Sequence, residues 1–81
     1  MKLDLNNKEE LKKLIENDEL PCYERYGFRW KGASSSPITK EKALKLLPKF
    51  SPGMGFYELC EETVNGKQSL VFVEYSESDM L

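Results

Sequence analysis

The chain reads as a single small α+β domain with its elements in the order helix, strand, helix, strand, strand. Three features carry that reading. A capped helical repeat opens the chain, an aromatic segment of period two follows over residues 22–31, and two β-rich runs flank Asn65-Gly66 near the end. The predicted sheet has three strands in the spatial order 2-3-1, with two helices packed on it.

The first helix is signalled by Asn7 as N-cap with Glu10 three residues on, a capping-box spacing with Asn in place of Ser or Thr. Leu11, Leu14 and Ile15 follow at helical spacing, while Lys8, Glu9, Lys12, Lys13 and Glu16 take the wet side. The helix is predicted over residues 8–17, because Pro21 pushes the residue before it out of the helical region. Along the first strand, Cys22, Glu24, Tyr26, Phe28 and Trp30 share one face, and Tyr23, Arg25, Gly27, Arg29 and Lys31 share the other. One face is aromatic and the other largely basic.

Residues 32–37 form a turn-rich connection, after which Thr39 caps a second helix that runs through Leu47 and stops at Pro48. Its inward stripe is Ala43, Leu44 and Leu47, with Lys40, Lys42 and Lys45 solvated. Residues 51–55, with one proline and two glycines, are loop. The second and third strands, 56–63 and 68–75, are joined at Asn65-Gly66, a turn pair that tolerates positive φ at both positions. Leu70-Val71-Phe72-Val73 is apolar on both faces, which places the third strand in the middle of the sheet. The first strand then takes its remaining side, parallel to the second strand and antiparallel to the third, through a right-handed crossover. Two short helices on one face would leave alternate residues of the third strand facing water. Either one helix covers each face, or the open face is a contact surface.

Eighty-one residues make one domain, spanning 1–81, with residues 76–81 expected as a flexible acidic tail. At 40% hydrophobic and 32% charged residues the chain is globular rather than disordered. It holds neither a run of about 18 apolar residues nor the apolar core of a signal peptide, so a cytoplasmic protein without membrane contact is expected. Cys22 and Cys60 belong to no CxxC pair, and in a reducing compartment both stay thiols. A cross-strand disulfide requires that their strands be neighbours.

Charge is sorted along the chain. Residues 1–21 set four lysines against six acids, a balance of −2; residues 22–49 set seven cations against Glu24 and Glu41, or +5; residues 50–81 set Lys67 against six acids, or −5. Such sorting either builds a bipolar surface or cancels internally as oppositely charged strands pair.

Most catalytic classes lose ground by subtraction, a small metal-assisted enzyme being the last of the readings left. With no histidine, the chain forms no Ser-His or Cys-His pair and offers no imidazole to a metal. Gly53-Met54-Gly55 precedes a strand rather than a helix and is loop, and Ser34-Ser35-Ser36 has no partner base. Glu61 and Glu62 point to opposite faces of a strand, whereas Glu58, Glu62 and Glu74 are placed to converge. A solvated acidic face is the reading preferred over a weak magnesium or calcium site, which ordinarily draws on loop carbonyls too. No catalytic residue, metal or cofactor is therefore expected.

Arg25, Arg29 and Lys31 beside Tyr23, with Trp30 near the strand end, make a mixture that neutralises phosphates and stacks bases. The plainer reading puts Tyr26, Phe28 and Trp30 in the core and pairs the arginines with Glu74 and the other acids of the hairpin. The tail Glu77-Ser78-Asp79-Met80-Leu81 has the form of a chain-end ligand, although a frayed terminus accounts for it as well.

The segments Tyr26-Gly27-Phe28-Arg29-Trp30-Lys31-Gly32-Ala33, Pro37-Ile38-Thr39-Lys40-Glu41-Lys42-Ala43-Leu44 and Glu74-Tyr75-Ser76-Glu77-Ser78-Asp79-Met80-Leu81 resemble a set of small proteins of gut bacteria without an assigned activity. The resemblance covers most of the chain after residue 22 and implies a bacterial, cytosolic, single-domain protein. It transfers no catalytic or binding residue.

The expected role is non-catalytic protein binding through a bipolar sheet surface, with Tyr23, Arg25, Arg29 and Lys31 as one pole and Glu58, Glu62 and Glu74 as the other. The alternatives are a single-stranded nucleic-acid binder using the first strand, and a homo-oligomer, such as a homodimer, formed through the open sheet face.

Overall fold

The structure is a computed structural model that describes residues 3–26, 35–53 and 55–75. The chain forms α1 (Lys8–Glu16), β1 (Cys22–Tyr26), β2 (Ser36–Pro37), α2 (Lys40–Leu46), β3 (Tyr57–Val64) and β4 (Lys67–Glu74). Among the described residues, no helix is long and apolar enough to cross a membrane.

Both helices start as their caps dictate. The Asn7 side chain accepts from the Glu10 backbone N–H at 3.1 Å, and its own amide donates to the Glu10 carboxylate at 3.4 Å. The Asn7 backbone N–H is satisfied by the Asp4 carbonyl instead. Thr39 caps α2 by accepting from the Lys42 N–H at 3.2 Å. α1 ends before Pro21 can act on it. Asp18 takes the left-handed conformation at φ +58°, which lets the Glu19 N–H close on the Leu14 carbonyl at 2.9 Å.

The hairpin closes on Asn65 and Gly66 at φ +53° and +78°, pairing Val64 with Lys67. A Cβ on Gly66 would meet nothing within 4 Å, so the backbone angle, not space, calls for glycine there.

The sheet has four strands rather than the three expected, in the order β2-β1-β4-β3. β4 lies inside it, antiparallel to β3 and parallel to β1. The parallel pairing corrects the sequence expectation, in which these two strands opposed each other. The physical reason is β2: Ser36 and Pro37 pair antiparallel with Glu24 and Tyr23, so the chain reverses once more before α2 than the sequence pattern reveals. Pro37 fits there because β2 is an edge strand. The predicted strand residues 27–31 and the predicted tail 76–81 lie outside the described residues.

Both helices pack on one face. Leu11 and Ile15 of α1, with Ala43 of α2 and Leu47 at its C-cap, meet Leu70 and Phe72 of β4 in one buried cluster. Phe50 stands edge-on to Phe72 and to Tyr57, with ring centroids 5.3 Å away in each case. On the opposite face, Val71, Val73 and Tyr75 form a second buried cluster against which Tyr23 and Cys60 pack. Val71, Val73 and Tyr75 are thus only 0–7% exposed although neither helix packs on them.

A long-range clamp ties the helices together. The Lys8 ammonium, in the first turn of α1, donates to the Leu47 carbonyl at 2.6 Å and to the Phe50 carbonyl, satisfying backbone acceptors that the end of α2 leaves open. Lys8→Met should therefore cost about 1.5–3 kcal/mol in urea denaturation, the range for hydrogen bonds to a charged group. Lys12→Met, one turn along on the exposed side, should stay within about 0.5 kcal/mol of wild type.

Candidate binding surface

β1 and β3 flank β4, and strand alternation assigns their side chains to faces. Cys22, Glu24 and Tyr26 share the helix face with Leu70, Phe72 and Glu74, while Tyr23 and Arg25 share the opposite face with Val71 and Val73. On β3 the parity is complementary: Glu58, Cys60 and Glu62 lie with Val73, Val71 and Ser69, and Glu61 lies with Leu70.

This parity decides where the predicted charges go. Arg25 is only 4% exposed and makes a bidentate ion pair with Glu62, at 2.8 and 2.6 Å, across the width of β4. Its Nε donates to the Ser35 hydroxyl at 3.1 Å, so all three guanidinium nitrogens are engaged. The hydrogen bonds to Glu62 hold the Arg25 pKa above its ordinary value. On the same face the Tyr75 hydroxyl donates to Glu58 at 2.7 Å. Tyr23 is half-buried against the valine cluster.

Glu74 is not part of this group. The register sets it opposite Tyr57 and Tyr26 on the helix face, so Glu58, Glu62 and Glu74 do not converge as the sequence suggested. The one-residue offset of antiparallel pairing separates them. Among the described residues, no group of three or more acidic or cysteine side chains is arranged to hold a metal. Arg29 and Lys31, the remaining predicted binding residues, lie outside the described residues, as does Trp30.

The helix face carries a smaller polar cluster. Lys42 of α2 pairs with Glu24 at 2.9 Å, and the Tyr26 hydroxyl donates to the same carboxylate at 3.3 Å. The charge of Glu24 raises the Tyr26 pKa, and hydrogen bonding to Glu24 raises that of Lys42. Tyr26 is 57% exposed and Phe56 44%, the large apolar side chains most open to water among the described residues. Sequence alternation placed Tyr26 in the inward row. The signal against that was Glu24 in the same row, two residues earlier.

The two cysteines lie apart. Cys22 faces the helices and Cys60 the opposite face, on strands that flank β4 from either side, which rules out a bond between them. Cys22 borders a cleft of about 270 Å³ between the end of α1 and the start of α2, and its thiol donates to the Leu20 carbonyl at 3.4 Å.

Among the described residues β3 is an edge strand, and only its first half is covered. The Ser51 N–H donates to the Tyr57 carbonyl at 3.4 Å, and the Leu59 N–H donates to the Ser51 carbonyl at 3.1 Å. The alternation that points these groups outward also points out the N–H and C=O of Glu61 and Thr63.

Set beside known proteins, the chain matches no family model, no curated protein and no solved structure.

Two predictions follow from the packing of β1. Arg25→Met should destabilise the protein by about 3–5 kcal/mol because it strands the Glu62 carboxylate, and Arg25→Met with Glu62→Leu should recover most of that loss in the same denaturation series. Burial pushes the Cys22 thiol from 9.0 up to about 11, so the unfolded chain releases this proton at lower pH than the native one. Stability from this source is intact below pH 9 and lost as pH rises through 11; measured against Cys22→Ala, the wild type should lose roughly 2 kcal/mol across that window.

Proposed function

We propose that this protein is a non-catalytic protein-binding module that meets its partner through oppositely charged surfaces at the two sides of its fold. The observation that carries the proposal is the placement of exposed lysines on α2 and of acids on β3. α2 carries Lys40, Lys42 and Lys45 against Glu41, and all four are exposed. It packs over the helix face, within ion-pairing reach of β1 through Glu24. β3, at the far edge of the sheet, carries Glu58, Glu61 and Glu62 and no cation.

This arrangement shifts the poles inferred from sequence. Arg25 and Glu62 neutralise each other inside the fold, so the basic pole rests on the lysines of α2 and the acidic pole on Glu58 and Glu61. Charges placed this way steer an encounter and select its orientation more than they add affinity. Exposed aromatic side chains such as Tyr26 and Phe56 supply the kind of anchor that protein interfaces favour. The chain offers no histidine, and the Cys22 thiol is held in its protonated form at neutral pH.

The test is capture of a partner on immobilised protein, with nuclease-treated and untreated lysates, at low and high salt. Capture should survive nuclease, weaken as salt rises, and fall about tenfold or more for Lys45→Glu or Glu61→Lys. Loss of capture on nuclease treatment would transfer the reading to single-stranded nucleic acid. Capture indifferent to both charge reversals would remove the bipolar surface as its cause.

A further inference from the structure

The open half of the β3 edge has a defined length, a defined set of backbone groups and a defined charge. Ser51 pairs with Tyr57 and Leu59, and the chain then turns off the edge through Pro52 and Gly53, the latter at φ +74°. Beyond that point the outward N–H and C=O groups of Glu61 and Thr63 meet no partner among the described residues. Thr63 is exposed and Glu61 half-exposed. Unpaired strand edges are templates for another strand, and proteins that do not use them usually block them with proline, bulges or a covering loop. Among the described residues, the blocking segment stops halfway.

The charge of the edge selects what can add to it. Glu58 lies on one face of β3 and Glu61 on the other, and the hydrogen bonds that hold them come from the uncharged Tyr75 and Gln68. A second copy of β3 added antiparallel about Glu62 would set Glu62 against Glu62, and one centred on Glu61 would set Glu61 against Glu61. Glu62 is neutralised by Arg25, so like charge opposes self-pairing in the register centred on Glu61, where the glutamate is held by the uncharged Gln68. An extended segment carrying lysine or arginine meets Glu61 on the helix face as it makes its backbone bonds, with Glu58 beyond it on the other face.

We propose that the β3 edge from Glu61 to Val64 is a strand-addition site for an extended, basic peptide segment of another protein. The inference rests on the protein-binding reading above and gives it a mode of contact: backbone hydrogen bonds to Glu61 and Thr63 supply the attachment, and the glutamates of β3 supply the preference for basic sequence.

The test uses the full chain and a blocked hexapeptide of alternating lysine and valine as probe, following amide exchange and chemical shift residue by residue. The probe should bind saturably, with slowed exchange at Glu61 and Thr63. Its glutamate-for-lysine counterpart, and a version N-methylated on alternate residues in both registers, should each bind about fivefold or more weakly. Thr63→Pro should weaken the probe by a similar factor while leaving the melting temperature near wild type, because the N–H it removes points away from β4. The N-methylated probe makes the same comparison without altering the protein.

Saturation that leaves the Glu61 and Thr63 amides unchanged would overturn the proposal. So would protection there that grows with protein concentration in the absence of probe, which would make a second copy the occupant. If Lys45→Glu abolishes partner capture while the probe leaves the edge untouched, the strand-addition inference fails and the protein-binding reading stands. If the probe protects the edge but capture ignores charge reversal, the bipolar reading fails and the edge site stands.

Discussion

A strand whose consecutive residues Leu70, Val71, Phe72 and Val73 are each no more than 1% exposed needs cover on both faces and a partner on both edges, and that demand from β4 organises this fold. Each such side chain contributes about 1.5–3 kcal/mol when fully buried, the largest stabilising source available to a domain of this size. The hairpin provides one edge locally. The other edge comes from β1, which pairs Cys22 with Leu70 across nearly fifty intervening residues. The helices close over Leu70 and Phe72 only when α1 and α2 are held together, and the Lys8 clamp does this by linking the first turn of one to the end of the other.

On the face away from the helices, the parallel register of β1 is checked by charge. Arg25 lies beside Val73 and Glu62 beside Ser69, so their side chains reach each other diagonally over β4. Sliding β1 by one residue would turn Arg25 toward the helix core, and sliding it by two in the direction away from Ser69 would carry the guanidinium roughly 6–7 Å farther from Glu62, out of bonding range. Desolvating both ions offsets much of their attraction, so the pair adds little net stability. Its larger consequence is to oppose those registers.

Sequence reasoning reached the parts of this fold that are locally encoded. Asn7, Thr39 and the Asn65-Gly66 turn act through neighbours within a few positions, and the apolar run of β4 declares its own burial. The direction of β1 was not legible, because it turns on β2, a strand of two residues inside a serine-rich connection with a proline and no periodicity to detect. Cross-strand pairing of the arginines with the acids of the hairpin was one of the readings open from sequence, and for Arg25 the structure realises it with Glu62. Glu74, the partner named first, was excluded by face parity, which depends on register. The basic role of α2 had a clear signal in its lysines, but period-two aromatics drew the site onto the first strand instead.

The sorted charges of the chain are only partly cancelled by folding. Among the described residues, Arg25–Glu62 is the salt bridge that joins the basic middle to the acidic last segment; Lys40–Asp18 reaches back to the first segment, and Lys42–Glu24 stays within the middle one. Lys40 and Lys42 keep more than 40% of their side-chain surface in water even while paired, where such bridges are weak and readily exchanged for other partners. At physiological salt the screening length is about 8 Å, so an approaching group responds chiefly to the exposed charges nearest to it. An encounter at α2 meets the exposed Lys40, Lys42 and Lys45, whereas one at β3 meets Glu58 and Glu61, with the Lys49 ammonium 4.6 Å from the centroid of the Tyr57 ring at the start of that strand. The formal net charge of −2 describes neither encounter.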